Sequence, residues 1–148
     1  AVSTQHKSTK IKVFNNTGGT LTAGTLTYVS AYNTTQGLYE VSKAVVTQAT
    51  ATTHFATGAI DSDIADQATG NVDKTYPLTG LNTNSLTQDQ HIWLSNTAGS
   101  YNTSRTSHPD VDYLKQIVGK VAKVHLTLGV IIFELPGWVI PWSIADQV

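Results

Sequence analysis

Asp61, Asp63 and Asp66 are the first group in this sequence whose types and spacing suggest chemistry. Carboxylates at alternate positions are the oxygen ligands of a calcium loop. A loop of EF-hand type also needs a Gly at its sixth position and a Glu at its twelfth, and neither falls in place here. Capping of a short helical turn over 61–67, with Asp61 or Ser62 as the cap, is the alternative use of these residues. Five histidines, His6, His54, His91, His108 and His125, are potential zinc ligands. Zinc takes three or four convergent ligands, and these histidines show neither an i, i+4 pair nor an HExxH pattern. A site assembled across strands or subunits remains the alternative to surface or hydrogen-bonded histidines. Hydroxyls are abundant, but an activated Ser or Thr needs a base and an orienting acid, and no GxSxG elbow occurs. Glu40 and Glu134, the only glutamates, lie far apart in sequence, and nothing supports their pairing as glycosidase carboxylates. Gly18-Gly19 follows a strand pattern but opens no helix, so it presents no helix N-terminus to a phosphate. The expectation is a protein that is not an enzyme and needs neither metal nor cofactor.

Composition narrows the classes further. At 148 residues the chain is long enough to bury roughly 68–70% of its unfolded surface without covalent staples. It has no Cys, hence no disulfide framework and no thiolate chemistry. Charged residues make up 13% of it, against about 25% in ordinary domains, and Thr, Ser and Asn replace them. A net charge of -1 gives no field to attract nucleic acid or an anionic membrane. The longest apolar run, Gly129 to Phe133, is far below the roughly 20 residues of a membrane span. The opening residues AVSTQHKSTK contain no apolar run of the kind a secretory signal has.

The elements that must position all these residues are strands. Lys10-Ile11-Lys12-Val13-Phe14 alternates, and Asn15-Asn16-Thr17-Gly18-Gly19 turns it. β-Branched segments at 21–32 and 38–46 follow, separated by Asn33-Thr34-Thr35-Gln36-Gly37. Further strands are expected at 54–60, 71–77 and 91–95, with Pro77 marking an edge or a strand end. Residues 114–126 and 130–135 read as a hairpin turned by Thr127-Leu128-Gly129. No helical period is sustained anywhere. Short strands with turn signals about every 8–12 residues imply an all-β, antiparallel sandwich or small barrel. Residues 1–9 are expected to be a flexible N-terminal arm, 10–135 the β domain, and 136–148 an apolar C-terminal tail.

Two groups suggest contacts with other chains. Lys115, Lys120 and Lys123 form a small basic face, either a solvated strand edge or a contact to an acidic shell protein. Trp138, Val139, Ile140, Trp142 and Ile144 concentrate apolar surface in a tail that Pro136 and Pro141 should keep out of a central strand. That tail either folds back on its own core or forms an intersubunit anchor, since Trp is enriched at interface hot spots.

From His54 onward the chain resembles a family of short tailed-phage virion proteins. The resemblance rests on AIDSDIADQATG (59–70), LTGLNTNSL (78–86), HIWLSNTAG (91–99) and VGKV (118–121), and FNNTGGTLTAGTLTYVS (14–30) is similar to the family's usual opening. It covers about three quarters of the chain, and the order and spacing of the motifs are more specific than any one of them. Family members usually have Gly-Asp before the "LS" strand, where this chain has Gln88-Asp89-Gln90 and must turn without Gly. The family usually ends soon after its last strand, so the tail from Trp138 is an addition. The resemblance implies a capsid decoration (cement) protein, a homo-oligomer of trimeric type bound to the major capsid protein. It would sit on the capsid exterior of a virion assembled in the host cytoplasm, with no nucleic acid or membrane partner. The alternative is a tail-fibre or adhesin module binding a host glycan through Trp93, Tyr101 and Tyr113.

Overall fold

The computed structural model describes residues 10–45, 54–103, 115–136 and 139–140. Of Lys115, Val139 and Ile140 only the backbone is described. The fold is all-β, and the described residues contain no helix. The first strands are β1 (Lys10–Phe14), β2 (Leu26–Asn33), β3 (Leu38–Lys43), β4 (Gly58–Ile60) and β5 (Thr69–Asp73). They close into a barrel in the order β1-β3-β2-β4-β5. The remaining strands are β6 (Thr75–Leu81), β7 (His91–Leu94), β8 (Tyr101–Asn102), β9 (Lys115–Lys123), β10 (Gly129–Glu134) and β11 (Val139–Ile140). They form a second sheet in the order β6-β10-β9-β7-β8, with β11 paired to β9.

Most pairings are antiparallel, but β1 and β3 run parallel, with Val13 opposite Tyr39. That pair closes the barrel together with the antiparallel β1–β5 ladder from Lys10↔Asp73 to Phe14↔Thr69. Inside the barrel Val13, Leu21, Val41, Ile60, Ile64 and Val72 form one core. Leu26, Ala44, Ala56 and Ala59 belong instead to a larger core with Ile92, Leu94, Val118, Val121, Ile131, Phe133 and Leu135. The second sheet therefore packs its inner face onto residues of β2, β4 and the segments beside them. Each fully buried Leu, Ile or Phe contributes about 1.5–3 kcal/mol of apolar transfer. Gln116 is the polar exception in this core. It is fully buried, and its amide donates to the Ala56 carbonyl and accepts from the Ala56 N–H, both at 2.8 Å.

The acidic cluster is architectural. Residues 61–67 form no helical turn. Instead Ile64 makes an isolated bridge to Leu21 through two backbone hydrogen bonds of 2.9 and 2.8 Å. Asp63 Oδ1 accepts the Ala23 N–H at 2.8 Å, and Asp66 Oδ1 accepts the Gly18 N–H at 2.9 Å. Asp61 pairs with Lys10 at 3.0 Å. The three carboxylates thus tie two loops and the start of β1. Asn15, also fully buried, donates to the carbonyls of Gly19 and Ile64 and accepts from the N–H and hydroxyl of Thr17.

Several residues that carry the family resemblance turn out to be packing joints. Gly70 lies under Ile64, where a Cβ would overlap the Ile64 side chain. Gly119 lies against β10, where a Cβ would overlap the Ile132 carbonyl. The turn before β7, which lacks Gly, is made by Asp89 itself at φ 65°, a conformation Asp tolerates better than most residues. Its N–H donates to Val121 O at 2.9 Å, and Gln88 Nε2 reaches Ala122 O at 2.9 Å.

Candidate recognition face

Of the contact residues expected from sequence, Lys120 lies on the face of the second sheet turned away from the core. Paired residues of an antiparallel ladder share a face. Pro77 on β6 is opposite Ile132 on β10, Ile132 is opposite Lys120 on β9, and Lys120 is opposite His91 on β7. One pleat along, Glu134 is opposite Thr75. Thr75, His91, Lys120 and Glu134 line a depression of ≈ 360 Å³ whose apolar lining comes from Ile117, Leu135 and Pro136. His91, Lys120 and Glu134 are exposed. Their side chains make no hydrogen bond or ion pair among the described residues, although the His91 ring lies 6.2 Å from that of Trp93. The depression thus presents both signs of charge, one hydroxyl and an apolar lining, and its ionic groups have no ionic partner among the described residues. Among the described residues no hydrogen bond joins the Thr75 hydroxyl to His91 or Glu134. The chemistry of the depression suits recognition of another surface.

The basic face is only partly gathered here. Lys120 lines the depression and Lys123 is exposed farther along β9. Lys115 lies at the other end of β9, in register with Ile140. The tail differs from expectation in one respect. Val139 and Ile140 are not held out of the sheet; as β11 they pair antiparallel with Gln116 and Lys115. Pro136 and Pro141 flank this pairing and do not interrupt it, because neither has to supply an N–H within it. The sheet therefore continues past residue 135, the expected end of the β domain. Trp138, Trp142 and Ile144 lie outside the described residues.

The aromatic residues expected to stack on a glycan are placed otherwise. Trp93 is 7% exposed. Tyr101 packs edge-on to Phe133 with ring centroids 5.8 Å apart, and this burial raises its phenol pKa above the ordinary value. Tyr113 lies outside the described residues. The two glutamates stand on different modules, Glu40 on β3 of the barrel and Glu134 on β10. Among the described residues no three His, Asp or Glu side chains gather in a group able to hold a metal ion.

Sequence reasoning did not find His91, Thr75 and Glu134 as neighbours of Lys120, because the ladder that joins them spans three interstrand pairings. The β9–β10 turn falls where Thr127-Leu128-Gly129 predicts it, and it leaves Leu126 and Leu128 each 58% exposed. That turn is held firmly. His125 Nδ1 accepts the N–H groups of Thr127 and Leu128 at 3.0 and 2.9 Å, and Thr83 Oγ1 donates to Lys123 O at 2.7 Å. Comparison of the chain with protein-family models, with curated proteins and with solved structures returns no match.

Proposed function

We propose that this chain is a structural virion protein, a capsid decoration protein that stabilises a phage head by bridging capsomers of the major capsid protein. The observation that carries the proposal is the assembly of a charged, apolar-lined face beside the strand from which the tail continues. Lys120, His91 and Glu134 line the depression, and β11 extends the same sheet next to it. From Ile140 the sequence runs on through Trp142 and Ile144. A cement protein has to bury apolar anchors against neighbouring subunits while keeping its own fold intact, and a rigid sheet with an aromatic tail suits that task. The use of the resemblance motifs supports the same reading. Gly70, Gly119, Asp63 and Asp66 serve loops and strand packing, as befits a scaffold whose work is mechanical. Closed cyclic assembly, with a trimer as the expected form, would bury the tail.

The test is the double substitution Trp138→Ala with Trp142→Ala. Burial of one Trp at an interface centre is worth about 2–4 kcal/mol. The variant should therefore sediment toward monomer, or leave the particle, while its β-sheet circular dichroism persists. Unfolding of the variant as a monomer would assign the tail to the intrachain core. Unchanged assembly and particle binding would move the contact to the depression, where Lys120→Glu is the next variant.

A further inference from the structure

The barrel carries an exposed aromatic pair that the capsid-bridging role leaves unused. Tyr32 and Tyr39 lie directly opposite each other on β2 and β3. They are 54% and 50% exposed. Their ring centroids are 5.2 Å apart at an interplanar angle of 73°. An edge-to-face pair of this kind presents two surfaces nearly at right angles, one a ring face and the other a ring edge with its phenol oxygen. Neither hydroxyl makes a hydrogen bond among the described residues, so each can both donate and accept toward a ligand.

The hairpin that bears the pair is fixed by side chains which strand alternation directs to its other face. Asn33 Oδ1 accepts the Gln36 N–H at 2.8 Å and Asn33 Nδ2 donates to Glu40 Oε2 at 2.8 Å, while Asn16 Nδ2 reaches the same carboxylate at 3.3 Å. The Gly37 N–H closes the turn onto Asn33 O at 2.8 Å. Little backbone ordering is then left for a ligand to impose, which favours binding by a small molecule. The turn residues Thr34, Thr35 and Gln36 are exposed and uncharged, and Glu40 is engaged by the two amides.

We propose that the Tyr32–Tyr39 corner is a binding subsite for a neutral pyranose at the end or branch of a glycan. A pyranose has one face of C–H groups, which stacks on a ring, and a periphery of hydroxyls, which suits phenol oxygens and a Thr/Gln turn. A protein partner fits less well. A specific protein contact needs about 800 Å² on each side, and the turn that borders this aromatic pair is polar. The turn residues Asn33 to Leu38 include no cation, which argues for neutral sugars over sialic or uronic acids. The subsite lies on the barrel, apart from the residues assigned to bridging, so its failure would leave that proposal standing.

The experiment is a screen of the purified protein against an array of neutral and acidic glycans, followed by saturation-transfer NMR with the oligosaccharides that bind. Neutral glycans should bind saturably in the millimolar to high-micromolar range, with transfer to pyranose C–H protons. Tyr32→Ala and Tyr39→Ala should each weaken binding about tenfold or more, while Tyr32→Phe and Tyr39→Phe, which keep the rings, should retain most of it. Circular dichroism of all four variants guards against loss of the fold. Absence of any neutral-glycan binding at millimolar concentration would overturn the proposal. So would binding that survives the Tyr32→Ala, Tyr39→Ala double variant, or loss of self-association in that variant in place of glycan binding.

Discussion

The barrel and the second sheet manage their strand edges in opposite ways. The barrel closes on itself, so none of its five strands is left as an edge. The second sheet stays open and relies on chemistry at its borders. Its outer strand β6 carries Pro77, which lacks an N–H, and the Thr75 N–H beside it is taken up by Asp73 Oδ1 at 3.2 Å. The opposite border is the two-residue β8. The modules also differ in how polar groups are used. In the barrel Asn15, Asp63 and Asp66 are engaged in holding loops. On the outer face of the sheet His91, Lys120 and Glu134 have no ionic partner among the described residues. A closed module satisfies itself, whereas an open one retains surface that another molecule can use.

Glycine replacement should break this contrast most sharply. Gly119→Ala drives a Cβ into the backbone of β10, which cannot move without parting the ladder, so about 3 kcal/mol of stability should be lost. Gly70→Ala meets only the Ile64 side chain, which can rotate away, and should cost nearer 1 kcal/mol. Urea denaturation of the two variants measures both. A larger loss at Gly70 would show that the barrel is the more tightly determined module.

Removal of the buried amides compares the modules at a smaller scale. Gln116→Ala strands the N–H and carbonyl of Ala56 without partners and should cost about 2–3 kcal/mol. Asn15→Ala frees the Thr17 N–H and the carbonyls of Gly19 and Ile64, but the loop lies near solvent, so about 1–2 kcal/mol is expected. Equal losses would mean that the joint between sheet and barrel is no drier than the barrel's own loop.

Alkaline titration sharpens the contrast further. Burial raises the Tyr101 pKa in the folded sheet. Its contribution to stability is therefore complete below the ordinary phenol value, about 10, and is lost as pH rises through the folded value, because the unfolded chain ionises first. Wild type should lose stability above about pH 10 more steeply than Tyr101→Phe. Identical profiles would show that Tyr101 is not desolvated.

The smallest effect belongs to the barrel surface. Lys10 has its pKa raised by the hydrogen bond it donates to Asp61, then by that carboxylate's charge. The contribution is complete below 10.5 and is lost as pH rises through the folded value. The ammonium is fully exposed, so Lys10→Gln should barely shift the melting temperature at neutral pH and not at all in high salt. A clear shift that salt does not remove would move this pair from surface decoration to structural joint.

The sequence by itself determined where most strands lie, though it reads 71–77 as one strand where the structure has β5 and β6 on either side of Lys74. Alternation in Lys10–Phe14 places β1 to the residue, Asn33 to Gly37 turns β2 into β3, and Pro77 marks an outer strand, because each signal acts through local backbone geometry. Tertiary structure alone decided which strands become neighbours. The parallel β1–β3 pair, the Gln116–Ala56 joint across 60 residues, and the ladder that brings His91 and Glu134 to Lys120 all depend on non-local pairing. Only the assembled sheets could show that Trp93 is covered and that Tyr32 and Tyr39 are not. Periodicity records that a side chain is apolar and which face of its strand it occupies, but the covering of that face is set by elements distant in the chain.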